Sequence, residues 1–339
     1  MIMDTRSART VLVSHRIFPE TLAALSEVGR VLAPNPKERF TKGRLDKLAA
    51  AADAFLAFMP DAVTASWLKN APRLRMVAGV LKGSDNLDID ACTRRGVWVS
   101  NVPDLLTVPT AELAIGLMIG LARHIRQGDA LIRRESGSCW RPSFYGTSIS
   151  GSTVGIVGMG LIGVALAERL LALGARLNYF DQRAAGDSLE KRLNLKRCDL
   201  LKLVSSCDFL IVALPLNEGT YHLVNDDVLA GCKPGALLIN PSRGSVVDER
   251  AVARALYSRR LGGYAADVFE CEDLSIKKRP KRIHPRLLSH PNTIFTPHLG
   301  SAVHSVRRAS ELRAAANVSD WAAGRPPRDA LNQPSGVPS

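Results

Sequence analysis

Short apolar runs alternate with segments of helical period along most of the chain. Residues 10–14, 54–58, 76–80 and 97–100 read as strands, with 31–32 as a short further strand. Between them, residues 19–28, 45–51, 65–69 and 89–95 carry apolar positions at helical spacing. Strands that alternate with helices predict a parallel, doubly wound sheet. Residues 109–126 form a long apolar helical pattern, with Pro109 and Thr110 in the first turn, where a missing N–H does no harm. The Gly-, Ser- and Pro-rich stretch 136–150 predicts a loop. A second alternation follows, with strands at 153–157, 175–180, 209–214, 236–240, 263–267 and 293–296. The last helical pattern, 305–323, has no strand after it, so its simplest resting place is back on the first sheet. The pattern predicts an α/β protein of two parallel-sheet domains. One comprises 1–105 plus 300–339, and the other, 106–299, is inserted into it.

The inserted region carries a glycine fingerprint, Gly158-Met159-Gly160-Leu161-Ile162-Gly163, between a strand pattern and the helical pattern 162–173. Gly158 permits the tight turn, Gly160 lets backbone approach a pyrophosphate, and Gly163 lets helix and sheet pack closely. A helix N-terminus there offers N–H groups to phosphates. Asp181 ends the next strand pattern 18 residues beyond Gly163, where a carboxylate can accept ribose hydroxyls. Asp181 would repel a 2′-phosphate, which favours NAD, while Arg183 gives some tolerance of NADP.

Charge and cysteines narrow the field. The chain has 45 Lys+Arg against 32 Asp+Glu, a net +13. Its basic residues are scattered except at 277–282, and no nucleic-acid motif accompanies them, so no nucleic-acid partner is expected. Six cysteines without CxxC or Cys/His spacing predict reduced thiols and no metal. No apolar segment has the length of a membrane span and no secretory leader is evident, so the expectation is a cytoplasmic protein with no membrane partner.

Polar residues sit where the strands of the second domain end. Arg243 follows Asn240-Pro241-Ser242, Asp267 ends the next strand, Glu272 lies five residues on, and His298 follows Thr296-Pro297. Ligands of open α/β sheets bind at this edge. A guanidinium can grip an oxyanion, an imidazole can move a proton as hydride moves, and a carboxylate can orient the imidazole.

These motifs, with Asn240-Pro241-Ser242-Arg243-Gly244, Ala266-Asp267-Val268-Phe269-Glu270-Cys271-Glu272 and Thr296-Pro297-His298-Leu299-Gly300, resemble the D-isomer-specific 2-hydroxyacid dehydrogenases over roughly residues 11–333. The resemblance implies a Rossmann NAD-binding domain inserted into a flavodoxin-like substrate domain, and a homodimer with the 109–126 helix at its interface. It implies that Arg243 binds substrate, His298 is the acid/base and Glu272 its partner. It implies a cofactor held by Thr110, Gly158, Gly160, Leu161, Ile162, Gly163, Asp181, Ala213, Leu214, Pro215, Pro241, Ser242, Asp267 and Gly300.

Within that family the first domain is most similar to the phosphite-oxidising members. Val80-Leu81-Lys82-Gly83-Ser84-Asp85-Asn86 places a lysine before the glycine whose backbone would meet substrate. A cation there would stabilise a compact anion that gains charge as water attacks. This likeness implies Lys82 and Gly83 as substrate-binding residues, a pocket of Met59, Leu106, Trp140 and Tyr145, and a further positive charge from Arg307. The expected reaction is phosphite oxidation to phosphate with hydride passing to NAD. The alternative is a D-2-hydroxyacid dehydrogenase or 2-ketoacid reductase. A NAD-sensing binding protein on the same fold would lack the complete Arg243, Glu272 and His298 set.

Overall fold

The computed structural model describes residues 9–35, 40–135 and 143–334. The chain divides into two compact units, one of residues 1–106 and 303–339 and one of residues 107–302.

The first unit holds five strands: β1 (Arg9–Val13), β2 (Gly29–Leu32), β3 (Ala54–Ala57), β4 (Met76–Gly79) and β5 (Trp98–Ser100). They lie in the order β2-β1-β3-β4-β5, every ladder parallel. Successive side chains of a strand face opposite sides, so a strand buried on both faces must be apolar throughout. In β3, Ala54 and Leu56 enter one core while Phe55 and Ala57 enter the other, and all four are buried. The first of these cores also takes Ala314, Ala315 and Val318 from the helix His304–Ala322. The last helix therefore packs on the first sheet, as its lack of a following strand predicts. Removing a side chain such as Leu56 from this core would cost about 2–5 kcal/mol.

The second unit holds β6 (Thr153–Val157), β7 (Arg176–Phe180), β8 (Leu195–Arg197), β9 (Phe209–Val212), β10 (Ala236–Asn240), β11 (Leu261–Ala266) and β12 (Thr293–Phe295). Their order is β12-β11-β10-β9-β6-β7-β8, again all parallel. β8 and the helices Asp187–Leu193, Leu200–Ser206, Asp226–Ala230 and Glu249–Tyr257 add to the elements the sequence pattern predicts. The strand order reverses between β6 and β9, which is where an open sheet of this kind receives its ligand.

The long apolar helix differs from its sequence reading. It runs Thr107–Ala122, breaks, and resumes as Ile125–Arg134 at an angle of 61°. His124 causes the break by taking a left-handed backbone, φ +52°. The first segment packs against β10, β11 and the helix Leu161–Ala172, and most of its residues are buried, while Val108, Glu112 and Gly116 form an exposed stripe. Among the described residues no single helix is long and apolar enough to cross a membrane, though this bent pair passes by length and composition. Among the described residues the cysteines are unbridged. Burial pushes the Cys207 thiol up to about 12 and Cys232 to about 11, so both behave as core residues.

Candidate active site

The glycine turn after β6 is shaped by sterics. Gly158 has φ +101°, and a Cβ there would lie 2.6 Å from the Ala213 carbonyl oxygen. A Cβ on Gly163 would lie 2.2 Å from the Gly158 carbonyl oxygen, so the helix can seat against the turn only without a side chain. Gly160 is different, since nothing lies within 4 Å of its Cβ position. Gly160 is also the N-cap of Leu161–Ala172 and brings no side chain to cap that helix. A glycine with open space beside it, at a helix end to which its cap residue gives no side-chain acceptor, fits a pyrophosphate. Leu161 is exposed beside it.

Asp181 does more than the sequence suggests. Its Oδ2 accepts the Met159 N–H at 2.7 Å, and its Oδ1 accepts the Arg183 N–H at 3.1 Å. The carboxylate thus ties the end of β7 to the glycine turn, and its remaining lone pairs can still accept ribose hydroxyls. Arg197, on β8, donates to the carbonyls of Asp181 and Gln182, both at 3.0 Å. Sequence reasoning missed Arg197, because β8 is only three residues long and two of them are charged.

The chemical residues leave the ends of β10, β11 and β12. Asn240, wholly buried, accepts from Ser242 N–H at 3.1 Å and Ser242 Oγ at 2.8 Å, and donates to the Arg243 carbonyl at 2.9 Å. That side chain shapes the turn presenting Arg243, and an Asn before Pro at a strand end was its sequence signal. Gly244 is required next, since a Cβ there would lie 1.9 Å from the Phe269 carbonyl carbon. Backbone contact of this kind holds the Arg243 turn against the segment that carries Glu272. The Arg243 guanidinium is half-buried and donates to the Ser242 carbonyl at 2.8 Å.

Asp267 is the organiser of the His298 loop. Its Oδ1 accepts from Thr296 Oγ1 at 2.5 Å and the Leu299 N–H at 2.7 Å, and its Oδ2 accepts the Gly300 N–H at 2.8 Å. Burial raises its proton affinity, and these bonds oppose the rise by favouring the carboxylate. The side chain of Asp267, a residue the sequence reading gives to the cofactor, is bonded to the loop. A Cβ on Gly300 would sit 3.2 Å from both Asp267 Oδ2 and Thr110 Oγ1, which brings Thr110 to the same corner. His298 has φ +57°, uncommon for a residue with a side chain. Strain of that kind persists where surrounding contacts over-determine the backbone.

His298 Nδ1 lies 3.0 Å from Glu272 Oε2, and the two side chains are 27% and 29% exposed. A carboxylate at Nδ1 fixes the tautomer with the proton there, leaving Nε2 to accept or deliver a proton. The structure thus brings Glu272 and His298 together, with the Arg243 turn packed against the Glu272 segment.

The first unit places its predicted residues at the matching edge of its own sheet. Lys82 and Gly83 follow β4. The Lys82 Nζ donates to the Pro103 carbonyl at 2.8 Å, and Asn101 Nδ2 donates to the Lys82 carbonyl at 2.7 Å. Burial pushes the Lys82 ammonium below the ordinary lysine range, and Asp104 opposes this. Asn86 Nδ2 donates to the Met59 carbonyl at 2.8 Å, joining the Met59 and Lys82 loops. Leu106, partly buried, packs on the core that contains Phe58. The Arg307 guanidinium stacks 4.4 Å over Phe58, and its Nε donates to the buried Glu311 at 2.7 Å. Arg307, from which the sequence reading expects a further positive charge, is thus paired with Glu311. Tyr145 is 84% exposed, and Trp140 lies outside the described residues. Among the described residues no His, Cys, Asp or Glu group could hold a metal.

Known proteins resemble this chain in sequence and fold. Residues 115–300 match the family described as D-isomer specific 2-hydroxyacid dehydrogenase, NAD binding domain. A glyoxylate reductase of Pyrococcus horikoshii is 36% identical over 286 residues, covering 83% of each chain. One of Aeropyrum pernix is 35% identical over 335 residues, covering 95% of this chain and 96% of that one. The crystal structure of the TT0316 protein from Thermus thermophilus superposes with a TM-score of 0.84 at 30% identity, covering 95% of this chain and all of the other. The second unit is an NAD-binding domain, and the chain belongs to the D-isomer specific 2-hydroxyacid dehydrogenase family.

Proposed function

We propose that the protein is an NAD(H)-dependent oxidoreductase that interconverts a small 2-oxo acid and its D-2-hydroxy acid, with glyoxylate the first substrate to test. The observation that carries this reading is the His298–Glu272 pair at 3.0 Å beside the Arg243 turn. The glyoxylate reductases among the relatives support the substrate class. Arg243 holds the substrate carboxylate. Bound NADH supplies the hydride that reduces the carbonyl carbon. His298, protonated and held by Glu272, delivers the proton that the carbonyl oxygen takes up, so one 2-oxo acid, one NADH and one proton give one 2-hydroxy acid and NAD⁺. In the reverse direction His298 takes the hydroxyl proton. Asp181 favours NAD, and the Arg183–Arg197 side of the ribose corner gives a measure of NADP use. We assign a homodimer on the family pattern.

A second reading has one observation in its favour. Lys82 is half-buried directly before Gly83, its Nζ donating to the Pro103 carbonyl at 2.8 Å, and a cation in such surroundings suits a compact anion. On that reading phosphite, NAD⁺ and water give phosphate, NADH and a proton, with His298 deprotonating the water. Absorbance of NADH at equal enzyme concentration decides between them. Consumption with glyoxylate or hydroxypyruvate supports the first reading. Production with phosphite, abolished by Lys82→Ala while any 2-oxo acid activity survives, supports the second.

A further inference from the structure

The Glu272 loop is closed by a carboxylate that no step above uses. Glu249 opens the helix Glu249–Tyr257, but Asp248 already caps that helix, its Oδ1 accepting from Arg250 N–H at 2.8 Å and Ala251 N–H at 3.1 Å. The Glu249 side chain turns inward instead and is 3% exposed. Its Oε1 accepts the Glu270 N–H at 2.9 Å and its Oε2 accepts the His284 N–H at 2.9 Å. These two donors are the ends of one loop, residues 270–284, which contains Glu272 and the basic run 277–282. Glu270 reciprocates, its Oε1 accepting the Glu249 N–H at 2.8 Å. The other oxygen of Glu270 lies 3.3 Å from His222 Nε2, and the His222 N–H donates to the Ser245 carbonyl at 2.8 Å, two residues from Arg243.

We propose that Glu249 is a positioning residue: one buried carboxylate clamps both ends of the 270–284 loop and thereby sets Glu272 against His298, next to the Arg243 turn. The proposal rests on the functional reading above. Two N–H groups converge on two separate oxygens, so an amide cannot replace the carboxylate. Glutamine has one acceptor oxygen, and its NH₂ would confront the second N–H. Burying two carboxylates side by side needs compensation, which the reciprocal N–H bonds and the nearby His222 provide.

The test is Glu249→Gln, measured for kcat, KM, NADH affinity and amide exchange. A fall in kcat of tenfold or more is expected, with NADH affinity within twofold of wild type, because the glycine turn lies elsewhere in the unit. Added to Glu272→Gln, it should slow the enzyme no further, since it acts through Glu272. An unchanged kcat, or losses that multiply in the double variant, would overturn the proposal. If wild type turns over no 2-oxo acid and no phosphite, the functional reading fails separately, and amide exchange decides the clamp. Faster exchange across 270–284 with 158–173 as in wild type supports it; unchanged or uniformly faster exchange refutes it. Should Glu249→Gln not fold, Glu249→Asp, one methylene shorter, is put to the same measurements and the same outcomes.

Discussion

The two units are built alike and use their sheets differently. Both have all-parallel sheets with a core on each face, and both carry their polar residues at the C-terminal strand ends. In the second unit the cofactor edge is made by removing side chains: Gly158 and Gly163 exist because a Cβ would collide with backbone, and Gly160 because space is needed. Among its described residues the first unit has no such turn. Its edge is made by adding side chains, with Lys82, Asn86 and Asn101 bonded to neighbouring carbonyls. Backbone N–H groups suit a diphosphate common to many enzymes, whereas side chains can vary with the substrate.

The largest effect that would sharpen this contrast is loss of the proton carrier. His298→Asn should lower kcat by about 10²–10⁴-fold, the range for a positioned acid/base, with NADH binding retained. Steady-state kinetics with fluorescence titration of NADH checks both; a variant near wild-type turnover would remove His298 from the mechanism. Next is Gly163→Ala, where the new methyl would lie 2.2 Å from the Gly158 carbonyl oxygen. Overpacking of this kind costs about 1–3 kcal/mol, and NADH affinity should fall at least tenfold, measured by titration, because the turn must shift. Gly160→Ala should instead fold as wild type and lose only cofactor affinity. If both glycines behaved alike in thermal melts, the distinction between packing and ligand space would fail.

Smaller effects come from the ion pairs, and they run in opposite directions in the two units. Asp320 in the first unit is held below the ordinary aspartate range, first by its hydrogen bond from Arg328 and also by one from Arg325. Its folded pKa is depressed, so the stability it contributes is present above about pH 4 and lost as pH falls through the folded value. His222 in the second unit is raised above the ordinary histidine range, first by Glu270. Its contribution is complete below about pH 6.5 and lost as pH rises through the folded value. Urea melts across pH should therefore show Asp320→Asn closing its gap to wild type in acid, and His222→Gln closing its gap in base. Gaps that do not depend on pH would show that neither pair titrates as described.

The fold was largely legible because both sheets are buried on two faces. β3 and β9 are apolar throughout, and a continuous apolar run between helical patterns has few other readings. β8 was not, since Lys196 and Arg197 are exposed at a sheet edge and only Leu195 enters the core. The break at His124 was also hidden, because nothing in the residue type demands a left-handed backbone there. At the site, Arg243, Glu272 and His298 could be found from their places after strands. The contacts that hold them could not. Glu249 looks like an ordinary acid in a helix's first turn, and only the folded chain shows that it reaches residues 270 and 284. The pairing of Arg307 with Glu311 was readable as i,i+4 spacing on a helix, but that spacing does not reveal that Glu311 is buried.

The most direct test of the account is the initial rate of NADH oxidation with glyoxylate by wild type and His298→Asn, at a concentration where both are shown to bind NADH. The account predicts steady turnover by wild type and a loss of at least a hundredfold in the variant. Wild-type protein that binds NADH and reduces no 2-oxo acid, or a variant as active as wild type, would contradict it.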